Sequence, residues 1–248
     1  MALPSATRLI PALLDFQPGL VIFDKDGTLI DFHVMWGQWI IDIIHRLEEV
    51  AAIPLAALIF ARLGFEPTGM RIDPTGPLAL EPASQLRRSL LTLMQEAGLS
   101  DQTAEKALAY GWQTPDPVAL AQPFSDLSHL FMLIRQIGAK IGVATSDDRT
   151  LTEATMTGLG IAPLVDGLAC ADDGMPIKPA PDMILHLCHS LNVSPARTVM
   201  IGDNIVDLQM GRAAQAGLVI GVLSGLGLTT QLEPLADMIL PSIADLLL

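Results

Sequence analysis

From Phe124 onward, apolar runs of strand length alternate with stretches whose apolar positions recur at helical spacing. Lys140 to Thr145 reads as a buried strand, and Arg149 to Leu159 as a helix stopped by Gly160. Val165 to Cys170 predicts a second strand, and Pro181 to Leu191 a helix. Thr198 to Ile201 predicts a short strand, Ile205 to about Ala216 a helix, and Leu218 to Val222 another strand. Met238 to Leu240 fits an edge strand before a last helix over Ser242 to Leu248. Short apolar strands alternating with helices imply a parallel sheet covered on both faces. Right-handed crossovers then give a doubly wound α/β fold.

Between Asp31 and about Pro123 the texture changes. Trp36, Trp39, Ile40, Ile43, Ile44 and Leu47 recur at helical spacing, as do Leu86, Leu90, Leu93 and Met94. Between them the Gly/Pro-rich span Gly64 to Pro82 reads as a long ordered loop. The simplest organisation is an α/β core of residues 1–30 and 124–248, interrupted by a helical insertion over 31–123. An insertion placed after the first strand is expected to hang over the carboxyl ends of the strands, where open α/β sheets bind ligands. Met1 to Pro18 has interrupting prolines and no clean apolar block, so it reads as a surface segment packed on the core rather than a signal peptide.

Composition narrows the function. Half of the 248 residues are hydrophobic and 17% are charged, which specifies a packed globular protein. The formal net charge of -13 argues against non-specific binding to nucleic acid or an anionic membrane, while leaving room for one local basic pocket. No apolar run is long enough to cross a bilayer. The two cysteines, Cys170 and Cys188, lack metal-like spacing and fit a reduced, cytoplasmic compartment better than a disulfide.

The densest candidate chemistry is Val21-Ile22-Phe23-Asp24-Lys25-Asp26-Gly27-Thr28-Leu29-Ile30. An apolar run ends in two aspartates one residue apart, then a Gly-Thr turn. Where the strand breaks into a loop, both carboxylates can converge at its tip, able to hold a divalent cation and a phosphate. A strand with an ordinary Asp-Gly turn is the competing reading. Three further features fall at predicted strand ends: Thr145-Ser146-Asp147, Lys178-Pro179-Ala180-Pro181-Asp182, and Gly202-Asp203-Asn204-Ile205-Val206-Asp207. Each alone has a structural explanation, such as a helix cap or a solvated turn. Together they assemble one site at the ligand-binding edge of the sheet.

Asp24-x-Asp26-Gly27-Thr28, then Thr145, then Lys178, then Gly202-Asp203-x-x-x-Asp207 resembles the haloacid dehalogenase superfamily of phosphotransferases. The insertion after the first motif matches the helical cap of phosphoglycolate phosphatase-like members. The resemblance implies that Asp24 is a nucleophile forming an aspartyl-phosphate, with Asp26 as general acid and base. It implies magnesium (Mg2+) held by the carboxylates of Asp24 and Asp203 and the backbone carbonyl of Asp26. Asp207, one helical turn past Asp203, is expected to reach the metal's waters or Lys178. Thr145 and Lys178 are expected to bind and neutralise the transferring group, with Gly27, Thr28 and Ser146 beside it.

Asp26 argues against a dehalogenase, whose leaving halide needs no proton. Phosphonate-cleaving members use a lysine early in the cap, whereas the only lysine between Asp31 and Pro123 is Lys106. Arg71 is a candidate contact for an anionic part of the substrate, against the plainer reading of a solvated loop arginine. Trp36, Trp39 and His33 read first as core and turn residues, and His186, Cys188 and His189 as structural. The expected function is hydrolysis of a small phosphorylated metabolite by a monomer or homodimer. A β-phosphoglucomutase-like phosphosugar mutase is the alternative, and a non-catalytic scaffold the third reading.

Overall fold

The computed structural model describes residues 8–81, 83–113 and 120–248. Its strands, in chain order, are β1 (Leu20–Phe23), β2 (Phe65–Glu66), β3 (Arg71–Ile72), β4 (Lys140–Ala144), β5 (Gly167–Ala169), β6 (Thr198–Gly202), β7 (Leu218–Val222) and β8 (Met238–Leu240). Six of them form one parallel sheet in the order β5-β4-β1-β6-β7-β8. The doubly wound α/β reading is therefore correct. β1 is central: the chain leaves it for β4 and β5 on one side, then returns past it to β6, β7 and β8 on the other. That reversal opens a crevice at the carboxyl ends of β1, β4 and β6.

Two compact units divide the chain, one of Met1–Asp31 with Ala121–Leu248 and one of Phe32–Leu120. In the first, all four β1 residues are buried because helices cover both sheet faces. Leu20 and Ile22 pack with Met183, Ile184 and Leu187 of the helix Asp182–Ser190 and with Leu208 of the helix Ile205–Ala213. On the other side Phe23 stacks on Phe131 of the helix Leu127–Gln136, with ring centroids 5.3 Å apart. A side chain of this size contributes about 1.5–3 kcal/mol when fully buried.

In the second unit, the helix Phe32–Ala51 buries Met35, Trp39, Ile40, Ile43, Ile44 and Leu47 on one stripe and packs against the helix Asp101–Gly111. Trp39 donates its indole N–H to the Gln113 carbonyl at 2.7 Å and meets Trp36 and Trp112 edge-on. His33 accepts from the Ile72 amide at 3.2 Å.

Two local expectations change. The span from Gly64 is not a plain loop: Gly64 caps a helix in the left-handed region, and β2 and β3 then pair antiparallel. Glu66 closes that hairpin by accepting from the Thr68 and Gly69 amides, and a short helix follows at Pro77–Leu80. Pro82 lies outside the described residues, as do residues 114–119 of the insertion.

Nor is the chain's end a full helix. It is one 3-10 turn, Ile243–Leu246, capped by Ser242. The backbone beyond it is drawn off by pairing with residues 8–10, through Ile10 N–H to the Leu246 carbonyl and Leu248 N–H to the Arg8 carbonyl. The amino-terminal segment continues into a short helix, Pro11–Phe16, with Leu13 fully buried; residues 1–7 lie outside the described residues. Among the described residues no helix is long and apolar enough to cross a membrane.

Candidate active site

Three strand ends and one loop supply the site. Asp24 extends β1 by one rung, donating its amide to the Ile201 carbonyl of β6 at 2.9 Å. Thr145 extends β4 in the same way, to the Ala169 carbonyl at 2.9 Å. Asp203 follows β6 directly, and Asp207 occupies the first turn of the next helix. Lys178 arrives on the loop after β5. That loop is anchored at its start by Asp173, which accepts from the Cys170 amide and pairs with both Nε and Nη2 of Arg149.

The Lys178 ammonium lies 2.5 Å from Asp24 Oδ1 and 2.6 Å from Asp207 Oδ1, and all three residues are buried. Asp207 is also fixed through Oδ2, which accepts from the Asn204 amide at 3.0 Å. Asp203 takes Thr28 Oγ1 on Oδ1 at 3.1 Å and the Leu226 amide on Oδ2 at 2.9 Å. Carboxylate oxygens of Asp24, Asp203 and Asp207 all lie within 4.8 Å of one another.

Three buried carboxylates around one ammonium leave about two negative charges uncompensated in a low-dielectric pocket. The imbalance shows in the proton affinities. Burial, then Asp24 and Asp207, drive the Asp203 carboxyl well above the usual carboxylate range. Burial also raises Asp24, against the pull of Lys178. Burial opposes the charge on Lys178, but Asp207 and Asp24 outweigh it and hold the ammonium above its ordinary range. A hard divalent cation is the natural complement of such an all-oxygen donor set, so these residues fit a metal.

Asp26, two residues past Asp24, pairs with a different lysine. Its carboxylate faces Lys25 Nζ, at 2.7 Å from Oδ1 and 2.6 Å from Oδ2, and the same ammonium reaches Asp147 Oδ2 at 2.9 Å. Burial raises the Asp26 carboxyl to about 6 in spite of Lys25. Thr145 is buried, and its hydroxyl accepts from the Asp147 amide at 3.1 Å, whereas Ser146 is exposed.

Gly27 adopts φ +87°, and a Cβ there would come within 2.6 Å of Asp203, so the turn requires glycine. Arg71 lies in the second unit, at an exposed position of β3. The residue pattern therefore located Asp24, Asp26, Thr28, Thr145, Lys178, Asp203 and Asp207 in one unit. It includes Lys25 and Asp147 in its motifs without giving them a role, and it misses the segment Ser224 to Gly227, where Ser224 Oγ donates to the Gly27 carbonyl at 2.7 Å. The glycines after the predicted strand Leu218–Val222 were the available signal: a Cβ on Gly225 would stand 2.0 Å from Asp203 Oδ2.

The model of the haloacid dehalogenase-like hydrolases matches residues 18–215, and the chain belongs to that family of enzymes. It is 25% identical over 205 residues to N-acetylmuramic acid 6-phosphate phosphatase of Pseudomonas aeruginosa, covering 78% of this chain and 77% of that protein. It is 27% identical over 210 residues to phosphoglycolate phosphatase of Rhodospirillum rubrum, covering 82% and 79%. A crystal structure of a HAD family hydrolase from Deinococcus radiodurans, with bound phosphate and sodium, superposes with a TM-score of 0.64 at 19% identity over 94% of each chain.

Proposed function

We propose that the protein is a Mg2+-dependent phosphomonoester hydrolase that acts on a small phosphorylated metabolite through an aspartyl-phosphate on Asp24. The observation that carries this reading is the buried triad Asp24, Asp203 and Asp207 with Lys178, at the sheet's switch point and next to Asp26. The phosphatase names of relatives covering most of the chain support it.

Asp24, Asp203, Asp207 and the backbone carbonyl of Asp26 would hold Mg2+, which when bound offsets repulsion between the nucleophile and the phosphate and aligns the two. An Asp24 carboxylate oxygen attacks phosphorus as the ester P–O bond breaks. Asp26 gives its proton to the departing alkoxide, then takes one from the water that attacks the phosphoenzyme and frees Asp24. Thr145 donates to a phosphoryl oxygen, and the exposed Ser146 and the Gly27-Thr28 turn border the same group. Lys178 balances charge on Asp24 and on the group in transfer.

The unit Phe32–Leu120, entered directly after the first motif, is assigned as the cap that selects substrate, with Arg71 as a contact for a second anionic group. Cys170 and Cys188 are both free and buried, which suits a reducing cytoplasm.

The test is inorganic phosphate release across a panel containing phosphoglycolate, N-acetylmuramic acid 6-phosphate and sugar phosphates, with and without Mg2+. Mg2+-dependent release from one compound, absent in Asp24→Asn, is the expected result. Retained hydrolysis by Asp24→Asn overturns the mechanism. Sugar-phosphate isomerisation without phosphate release would assign the mutase reaction instead.

A further inference from the structure

Lys25 occupies the residue between the two aspartates of the first motif, two positions past a strand whose residues are all buried. Its side chain is 1% exposed, against 16% for Asp26 and 20% for Asp147. A buried ion pair is weak evidence of stabilisation, because an apolar side chain of similar volume fills such a space without the cost of desolvating charge. Methionine would span the same distance. The ammonium therefore calls for another reason.

The geometry supplies one. Lys25 Nζ donates to Asp26 Oδ1 at 2.7 Å and stands in ion-pair contact with Asp26 Oδ2 at 2.6 Å and Asp147 Oδ2 at 2.9 Å. Asp147 is itself held through its backbone, its N–H donating to Thr145 Oγ1 at 3.1 Å and its carbonyl accepting from the Ala171 amide at 3.0 Å. We propose that Lys25, steadied by Asp147, is a positioning residue that orients the Asp26 carboxylate for proton transfer to the leaving group. When one Asp26 oxygen turns toward the departing alkoxide, the other keeps its bond to Nζ. The carboxylate then pivots about a fixed point. Because Asp147 and Thr145 share one loop, the same clamp sets Asp26 in register with the residue assigned to the phosphoryl oxygens.

This inference rests on the phosphoryl-transfer reading, and leaving groups of unequal basicity separate the two. An alkoxide needs a proton as it departs, whereas p-nitrophenolate does not. For Lys25→Met, kcat/KM on β-glycerol phosphate falls about 100-fold, within the usual range for general acid catalysis. On p-nitrophenyl phosphate it falls no more than about threefold, and Lys25→Arg recovers most of the alkyl-ester rate. In an Asp26→Asn background, Lys25→Met adds less than about threefold, since the group it positions is gone.

Equal losses on both esters, or losses that multiply with Asp26→Asn, would overturn the proposal and leave Lys25 a structural residue. Should Lys25→Met fail to fold by circular dichroism, Asp147→Asn carries the same comparison. A drop of about fivefold confined to the alkyl ester supports the clamp, and no drop or a uniform one overturns it. Wild-type protein that releases phosphate from neither ester, nor from any compound of the metabolite panel, overturns the phosphatase reading itself, and the inference with it.

Discussion

Two buried lysines meet the aspartates at the β1 terminus, each paired with two of them. Lys178 bridges Asp24 and Asp207, and Lys25 bridges Asp26 and Asp147. What separates them is a third carboxylate. Asp203 joins the Lys178 side and leaves it with an excess of about two negative charges, on residues that are all buried. The Lys25 side has two carboxylates, both partly open to solvent. A closed site with surplus negative charge asks for a divalent cation, and an open one with a hinged carboxylate suits proton traffic. One strand end thus carries two electrostatic designs, and the residue numbers alternate between them: Asp24 belongs to one, Lys25 and Asp26 to the other.

The sharpest way to break this division is at Asp24. Asp24→Asn removes the nucleophile of the proposed reaction while keeping its volume, so turnover should fall at least about 1,000-fold. Far-ultraviolet circular dichroism should stay that of the wild type, because β1 and its neighbours do not depend on the lost charge. An effect nearly as large is expected on metal binding when Asp203 is changed. With Mg2+ at about 100 times its Kd, the wild type should gain about 2.7 kcal/mol of stability, seen as a higher melting temperature that EDTA reverses. Asp203→Asn should lose most of that gain and Asp147→Asn should keep it. A metal-dependent shift that is the same in both variants would erase the distinction between the two sides.

Gly225 tests how tightly the closed side is built. Its missing side chain makes room for Asp203 Oδ2, 2.0 Å from where a Cβ would stand. Leu226 also holds that oxygen through its amide. Gly225→Ala must push either the loop or Asp203 aside, so about a tenfold loss of Mg2+ affinity is expected by calorimetric titration. Alanine at Gly174, where a Cβ would meet nothing within 4 Å, should leave Mg2+ affinity unchanged.

The two sides were not equally legible in the sequence. Asp24 and Asp203 are legible because each follows a short apolar run, and in a doubly wound sheet such runs end at one edge; Lys178, on the loop after β5, is legible only through its order among the motifs. Lys25 lies inside the first motif, and the residue pattern gives it no role of its own. Which charges it meets depends on β4 lying beside β1, a neighbour relation that local pattern does not encode. The role of Asp147 was hidden for the same reason. The Ser224–Gly227 segment carried a signal, glycine at alternate positions, but its meaning is a contact with a side chain about twenty residues earlier. The hairpin of β2 and β3 was missed because two-residue strands show no period, and its closure lies in the Glu66 carboxylate. The apolar spacing of the last residues allows a full helix, while pairing with residues 8–10 decides otherwise.

The smallest effect expected distinguishes the helices that follow the two clusters. On the closed side, Asn204 caps the helix Ile205–Ala213: its side chain accepts from the Val206 amide at 3.3 Å, and Asp207 returns the bond to the Asn204 amide at 3.0 Å. On the open side, the helix Arg149–Gly158 begins after Asp148, whose side chain makes no capping bond. The Arg149 amide is satisfied instead by Asp172 from the loop after β5, at 2.8 Å. Asn204→Ala should therefore cost about 1 kcal/mol in urea unfolding, the usual worth of an N-cap. Asp148→Ala should cost no more than about 0.3 kcal/mol, because its side chain makes no capping bond to lose. Since Asp207 is bound by the Asn204 backbone rather than its side chain, Asn204→Ala should weaken Mg2+ binding less than Gly225→Ala does. The reverse order would mean that the capping box, not the Ser224–Gly227 segment, sets the geometry of the triad.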